Sequence, residues 1–176
     1  MNKTLTPMRP VAGLLLAALA VLAPPVLART MVAPDASAPD WQVDCGSDDT
    51  CRASRTVKNT QNDQRIATLT VIFNREKAEQ GLSVAVPLGV AVDAGVRLIF
   101  AGRTRDMGVK VCYPDGCLAL DGLDVDEFRD LMKARAVEFR YFPFSGAQPV
   151  AFEMNVEGLG KAVLEAAPAR TDLFAP

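Results

Sequence analysis

Alternating apolar and polar residues run through the chain beyond residue 41 and predict β-strands. The alternation is clearest at Val137–Tyr141 and Val150–Val156, where large apolar side chains occupy every second position. A run rich in β-branched residues at Arg65–Phe73 predicts a central strand. Roughly nine short strands follow one another at turn spacings typical of antiparallel all-β domains. We therefore predict a mainly β fold, a single antiparallel β-sandwich domain over residues 41–167.

Two short accessory helices are predicted in the C-terminal half of this domain. Asp124 and Glu127 have the spacing of a capping box, and a helix is predicted from about Val125 to Ala134. Its apolar residues share one helical face; they are Val125, Phe128, Leu131 and Met132. A second apolar stripe ends before Pro168 and predicts another helix. The residues of that stripe are Leu159, Ala162, Val163 and Ala166.

Two charged segments in the middle of the chain are predicted as connections between strands. The segment Asn74–Gly81 ends in glycine and favours a loop over a helical turn. The segment Gly102–Gly108 is predicted as an exposed basic corner, followed by a strand at Met107–Cys112. Neither segment has the apolar periodicity of a buried element.

The N-terminal residues have the composition of a secretory signal peptide, predicted over residues 1–28. Lys3 and Arg9 precede an apolar run at Val11–Ala23, and small residues follow at a cleavage position. That run is shorter than the roughly 20 residues needed to span a bilayer, so no transmembrane segment is expected after cleavage. Residues 29–40 are predicted to be a disordered lead, and residues 168–176 a frayed tail.

The charge balance argues against a nucleic-acid partner. Removal of residues 1–28 leaves 17 basic and 21 acidic residues, a net charge of −4. A protein that binds DNA or RNA needs an excess of positive charge to neutralise phosphates. The composition therefore favours other classes of partner.

The four cysteines lie in two pairs, each around a predicted turn. Cys45 and Cys51 flank a polar turn, and Cys112 and Cys117 flank Pro-Asp-Gly, in which each residue favours chain reversal. In an exported chain such pairs are expected to form two local disulfides. The alternatives are a four-cysteine zinc site and a redox-active pair, although the chain has neither histidine nor a C-x-x-C spacing.

The absence of histidine from the whole sequence removes the commonest general base and every Ser-His or Cys-His nucleophile. Catalysis would then need carboxylates, and the acidic residues cluster in two places. These are Asp48 with Asp49, and Asp121, Asp124, Asp126 and Glu127. A solvated turn and a capped helix account for them, with calcium binding at the second cluster as the alternative. We predict no catalytic residue, metal or cofactor.

Two surface features are candidates for recognition. Basic residues on neighbouring predicted strands are a possible site for an anionic partner such as lipopolysaccharide or an acidic protein surface, with a solvated strand edge as the alternative. They are Arg97, Arg103, Arg105 and Lys110. The aromatic residues Phe142 and Phe144 follow Tyr141 and would lie partly on the face opposite the core. Either a helix covers them or they form an exposed patch for a partner.

Short motifs spread over residues 41–166 together resemble a known family. They are Trp41 with Cys45, Val86-Pro-Leu-Gly-Val90, Asp93-Ala-Gly-Val96, Cys112 with Gly116-Cys117-Leu-Ala119, and Gly158-Leu159 with Ala162. In order and spacing the chain resembles the invasion-associated locus B family. The resemblance implies a secreted or periplasmic protein of a Gram-negative, chiefly alphaproteobacterial type, virulence-associated through a member linked to host-cell invasion. The family has no established enzymatic mechanism, so the resemblance supplies no catalytic residues.

Together the residues and the resemblance predict an exported, non-catalytic interaction module in the periplasm or at the outer surface. Its expected partner is an envelope or host component, either a protein or an anionic glycolipid. The alternatives are a carboxylate-based enzyme of unknown class and a periplasmic stress or chaperone-like factor. A contribution to host-cell invasion or to envelope function is what the resemblance implies.

Overall fold

A computed structural model describes residues 41–146 and 148–170 of the chain. The predicted signal peptide at 1–28, the predicted lead at 29–40 and residues 171–176 of the predicted tail lie outside the described residues. The ten strands are β1 Gln42–Cys45, β2 Thr50–Lys58, β3 Arg65–Asn74, β4 Gln80–Val86, β5 Val96–Phe100, β6 Arg103–Met107, β7 Val109–Tyr113, β8 Gly116–Gly122, β9 Ala136–Tyr141 and β10 Val150–Asn155. The helices are α1 Val125–Lys133 and α2 Leu159–Ala166.

The strands form two antiparallel sheets, which confirms the predicted mainly β sandwich with two helices. The larger sheet has six strands in the order β1-β2-β3-β4-β8-β7, and the smaller has four in the order β10-β9-β5-β6. Strands β2, β3 and β4 are neighbours in chain order. The chain then enters the four-stranded sheet as β5 and β6 and returns, so that β8 pairs with β4. The outer strands of the six-stranded sheet are therefore β1 and β7.

The core lies between the two sheets and is built from the alternate residues that the strand pattern predicts. Leu69, Val71 and Phe73 of β3 are fully buried, and the rings of Phe139 and Phe152 stack at a centroid distance of 5.1 Å across β9 and β10. Burial of such side chains is the main favourable term in folding.

The helices begin and end close to their predicted residues. The Asp124 carboxylate accepts a bond from the Glu127 main-chain N–H at 2.7 Å, and the Glu127 carboxylate accepts one from the Asp124 N–H at 3.2 Å. This reciprocal capping box confirms the predicted helix start. Leu159 and Val163 of α2 are fully buried, and α2 contacts β1, β2 and α1.

Most residues of Gly102–Gly108 are exposed as predicted, but the prediction of a corner is wrong, because Arg103–Met107 forms strand β6 and pairs with β5. The turn between them has Ala101 at φ 48° and Gly102 at φ 77°, as type I′ hairpin turns require. The polar side chains of β6 suit an edge strand, whose outer side is not buried. Met107, predicted as the start of the next strand, is the last residue of β6.

Residues 168–170, the described part of the predicted frayed tail, are attached to the domain. Arg170 is buried, and its guanidinium donates to the main-chain oxygen of Asn74 at 3.0 Å and to that of Lys77. The described part of the tail is therefore fixed to the β3–β4 connection. That connection is a loop, as its charged sequence predicts, since β4 starts only at Gln80.

Candidate binding site

Four chain connections meet at one end of the sandwich, which we call the loop end. The pairing of Val86 with Cys117 places the end of β4 beside the tip of the β7–β8 hairpin. The Tyr141 hydroxyl lies 3.5 Å from the main-chain oxygen of Ile66, so β9 ends beside the start of β3. Because β9 and β5 pair at Tyr141 and Val96, the β4–β5 and β9–β10 connections share this end. The β2–β3 turn completes it.

Two of these connections are joined by main-chain hydrogen bonds. The Ala91 N–H donates to the Phe142 oxygen at 2.7 Å, and the Phe144 N–H donates to the Gly89 oxygen at 2.6 Å. Val90 and Pro143 form the bridge between these bonds. The β4–β5 and β9–β10 connections are thus held together as a short extension of the four-stranded sheet.

This extension presents large apolar side chains to solvent. Leu88 is 55% exposed, Val92 48%, Phe142 42% and Phe144 83%. We call these four residues the apolar loop cluster. Phe144, at 83% exposed, buries little area on folding, and grouped exposed apolar side chains commonly mark interaction sites.

A shallow cleft of about 350 Å³ lies beside the cluster. Its lining combines apolar and polar side chains; these are Gln64, Arg65, Pro87, Leu88, Pro114 and Asp115. The Arg65 guanidinium donates to the main-chain oxygen of Asp115 and so fixes the hairpin tip against the start of β3. Asp115 is the single carboxylate among the lining residues, so a pair of facing carboxylates is not assembled at this cleft.

The hairpin tip is closed by one of two disulfides. The Sγ atoms of Cys112 and Cys117 lie 2.02 Å apart, and those of Cys45 and Cys51 lie 2.03 Å apart. The pairs therefore lie where the turn sequences predict them. Because β1 and β7 are the two opposite edges of the six-stranded sheet, the four sulfur atoms do not converge as a zinc site requires.

The predicted basic patch does not present free positive charge at its arginines. Arg97 bonds Asp106 at 2.6 Å, Arg103 bonds Asp130, and Arg105 bonds both Asp121 and Glu127. Hydrogen bonding to Asp106 raises the pKa of Arg97, and bonding to Asp130 raises that of Arg103.

The fourth basic residue, Lys110, is exposed on β7 and thus belongs to the other sheet. The prediction of neighbouring strands is correct for Arg97 on β5 and Arg105 on β6. Their side chains lie on opposite faces of the sheet, because Arg97 is opposite Asp106 and Arg105 is opposite the buried Leu98. The prediction missed their carboxylate partners, which come from β6, β8 and α1. The arrangement favours internal ion pairs over an anionic ligand.

The acidic residues singled out in the sequence have local structural roles. Hydrogen bonds from Thr50 lower the pKa of Asp48 within the β1–β2 turn. Asp124 and Glu127 cap α1, and Asp121 pairs with Arg105. Within residues 41–146 and 148–170 no three acidic or cysteine side chains are grouped as metal ligands.

The positions of the helices decide whether a helix covers Phe142 and Phe144 or leaves them as an exposed patch. Helix α2 packs against β1, β2 and α1, while Phe142 and Phe144 remain exposed. Leu88 and Val92 were not predicted as exposed, and the local pattern holds no signal for it, since Val90 between them is buried. In the described part of the chain, neither helix has the length and apolarity to cross a bilayer.

Comparison with known proteins matches nearly all of the described residues to one protein family. The family model described as "Invasion associated locus B (IalB) protein" matches residues 41–167. Proteins named "Invasion protein B homolog" from two strains of Brucella abortus, 2308 and 9-941, are 27% identical over 128 residues, which cover 70% of this chain and 73% of theirs. The crystal structure of invasion associated protein b from Bartonella henselae matches with a TM-score of 0.65 at 20% identity, covering 74% of this chain and 94% of that one.

Proposed function

Since the chain belongs to the invasion associated locus B family, we propose that it is an exported, non-catalytic binding module. Through the apolar loop cluster it docks on an apolar surface of an envelope or host protein. The observation that carries this proposal is the exposure of Leu88, Val92, Phe142 and Phe144 on two connections that main-chain bonds hold together. A prearranged surface loses little entropy on binding.

A protein partner fits the charges around the cluster better than a lipid surface does. Lys58 pairs with Asp63 in the β2–β3 turn, and Arg65 is bonded to the main chain of the hairpin tip. Asp93 and Asp115 add negative charge to the neighbouring connections. An anionic leaflet or glycolipid attracts surfaces with an excess of lysine and arginine, which this end lacks among the described residues.

Two further arguments concern location and biological role. Two disulfides in one short domain are typical of an oxidising compartment, which supports export to the periplasm or the cell surface. The relatives from Brucella abortus and Bartonella henselae are named as invasion proteins. The proposed docking therefore serves host-cell invasion or an envelope function.

Site-specific photo-crosslinking from the loop end tests the proposal. A photoreactive residue at Phe144 of the full-length protein in living cells should give one specific adduct with an envelope or host protein. Unlabelled native protein should compete for the adduct, whereas protein carrying Phe142→Ser and Phe144→Ser should not. A photoreactive residue at exposed Lys77, at the other end of the sandwich, is the matched control.

The contradicting outcomes are specific. Equal adducts from Phe144 and Lys77 would exclude the cluster as the docking surface. Flotation of the native protein with phosphatidylcholine or phosphatidylglycerol vesicles, lost in the Phe142→Ser/Phe144→Ser variant, would replace the protein partner by a membrane. Absence of any competed adduct would overturn the proposal.

A further inference from the structure

The outer edge of strand β7 has main-chain groups that face away from the rest of its sheet. Cys112 lies directly opposite Cys117 of β8, with their Cα atoms 3.9 Å apart. In an antiparallel ladder the closely spaced residues are the non-hydrogen-bonded pairs, whose N–H and C=O groups point away from each other. The N–H and C=O of Cys112 therefore point to the open side of β7, where another strand can bond them.

Two exposed apolar side chains flank this position on the outer face of the sheet. Val111 is 37% exposed and Tyr113 is 55% exposed. They alternate with Cys112, whose partner Cys117 points into the core, so Val111 and Tyr113 share the opposite face. On that face Val111 is next to Leu118, with exposed Leu120 two positions further along β8. The edge of the six-stranded sheet thus carries an apolar strip.

The other three edge strands of the two sheets are less open. Strand β6 carries Arg103, Arg105 and Asp106, all in ion pairs. Strand β1 has only four residues and contacts α2, and β10 presents Glu153 to solvent. Charge, shortness and cover by a helix are the usual protections of a sheet edge. On β7 the protection is limited to Lys110 and the register shift between Val109 and Val111, and Val111, Cys112 and Tyr113 beyond it pair regularly with β8.

We propose that β7 pairs with β7 of a second copy of this chain, antiparallel about a two-fold axis at Cys112. Cys112 of each copy donates to and accepts from Cys112 of the other, which uses the outward N–H and C=O of both. This register places Val111 opposite Tyr113 of the second copy, and the symmetry repeats that pair. Aromatic and β-branched residues opposite each other are favourable cross-strand neighbours.

The charges near β7 agree with this register. Beyond the apolar pair, where β7 ends, the hairpin turn that carries Asp115 of the second copy lies near Lys110. Both Lys110 and Asp115 are exposed in the single chain. A two-fold axis brings the opposite charges together twice, so the edge is complementary to itself as an isologous interface requires. The two six-stranded sheets then form one continuous sheet.

The Cys112–Cys117 disulfide contributes to this interface without facing the second copy. It joins β7 covalently to β8, so an incoming strand meets a fixed edge and cannot displace β7. A fixed edge does not have to be ordered during association, which lowers the entropy cost of pairing. This proposal is independent of the apolar loop cluster, which lies on different residues.

Sedimentation equilibrium of the oxidised native protein over a wide concentration range tests the proposal. The average mass should rise toward twice that of the monomer as concentration increases. Val111→Lys and Tyr113→Lys, both at exposed positions, should weaken dimerisation about tenfold or more, because each buries unpaired and repelling charges in the interface. Two control variants should dimerise like the native protein. They are Leu164→Lys, at an exposed position on α2, and Phe142→Ser/Phe144→Ser.

Amide hydrogen exchange gives a second measurement on the native protein alone. The Cys112 N–H should exchange more slowly at the concentrations where the dimer forms, while exposed amides of the β2–β3 turn should not change. A monomer at every concentration would overturn the proposal. So would a dimer that survives Val111→Lys and Tyr113→Lys, or one in which Cys112 exchange is independent of concentration.

Discussion

The Nη1 atom of Arg105 lies 2.6 Å from both carboxylate oxygens of Glu127, and this contact joins the four-stranded sheet to helix α1. The same guanidinium bonds Asp121 of β8 at 2.8 Å. Arg105 on edge strand β6 therefore connects the four-stranded sheet with β8 of the other sheet and with the helix that follows β8. Arg105 and Glu127 are only 17% and 18% exposed, so solvent screens their attraction less than at a surface pair.

Replacement of Arg105 by methionine should lower the free energy of unfolding by about 2 kcal/mol, because it leaves the half-buried Glu127 carboxylate without its cation. Urea unfolding followed by Trp41 fluorescence measures this. The matched control is Arg97→Met, which breaks the exposed pair with Asp106 and should cost much less, because solvent screens an exposed pair. Equal losses in both variants would contradict the special role of Arg105.

Replacement of Asp124 by alanine should lower the free energy of unfolding by about 1 kcal/mol. The change removes the acceptor for the Glu127 N–H at the start of α1. Asp126→Ala is the control, since Asp126 lies in the same first turn and makes only an exposed pair with Arg129. Chemical denaturation measures the free energy of unfolding of both variants. A larger decrease for Asp126→Ala than for Asp124→Ala would contradict the capping role.

Titration of the unfolded, unreduced protein with a thiol reagent should detect essentially no free thiol, because all four cysteines are paired. Detection of two or four thiols would contradict the pairing.

Replacement of Cys112 and Cys117 together by serine should lower the free energy of unfolding by about 2 kcal/mol, the chain-entropy value for so short a loop.

Replacement of Arg97 by alanine should raise the pKa of Asp106 toward the ordinary value of an aspartate. The hydrogen bond from Arg97 lowers that pKa in the native protein. Because the folded pKa lies below the unfolded one, the pair contributes stability above the unfolded pKa and loses it as pH falls through the folded pKa. Carboxyl NMR titration measures the shift. Asp48, whose pKa is lowered by Thr50, should be unchanged in the same variant.

Replacement of Gly116 by alanine should cost about 2 to 3 kcal/mol, because its Cβ would lie 2.5 Å from the main-chain oxygen of Val86. Gly89→Ala is the control for backbone strain alone. Gly89 has φ 85°, but a Cβ there meets no atom within 4 Å, so the cost should be about 1 kcal/mol. Thermal unfolding of both variants tests the difference, and a milder effect at Gly116 would contradict this close approach.

Local signals predicted the parts of the fold that depend on neighbours in sequence. The alternation at Val137–Tyr141 is found in β9, and the Asp124–Glu127 spacing is found as the start of α1. The cysteines beside Pro-Asp-Gly pair because the turn itself brings them together. In each case the determining interactions span only a few residues.

Interactions between distant residues were not predictable from the sequence. Strand β6 has a polar sequence because it is an edge, and edge status follows only from the order of strands in the sheet. The carboxylates that neutralise Arg103 and Arg105 come from α1 and β8, 16 or more positions away. The apolar loop cluster likewise depends on the bridge between Val90 and Pro143, which no local pattern announces.

The order of strands in the six-stranded sheet also excludes disulfides between the wrong cysteines. Cys45 on β1 and Cys112 on β7 stand at opposite edges, separated by five strand spacings, about 24 Å at the usual 4.8 Å each. A scrambled bridge between them is incompatible with a completed sheet, whereas each native bridge closes a hairpin of adjacent strands. Each native bridge can therefore form within its own hairpin, independently of the other. A molecule with a mispaired disulfide cannot complete the six-stranded sheet.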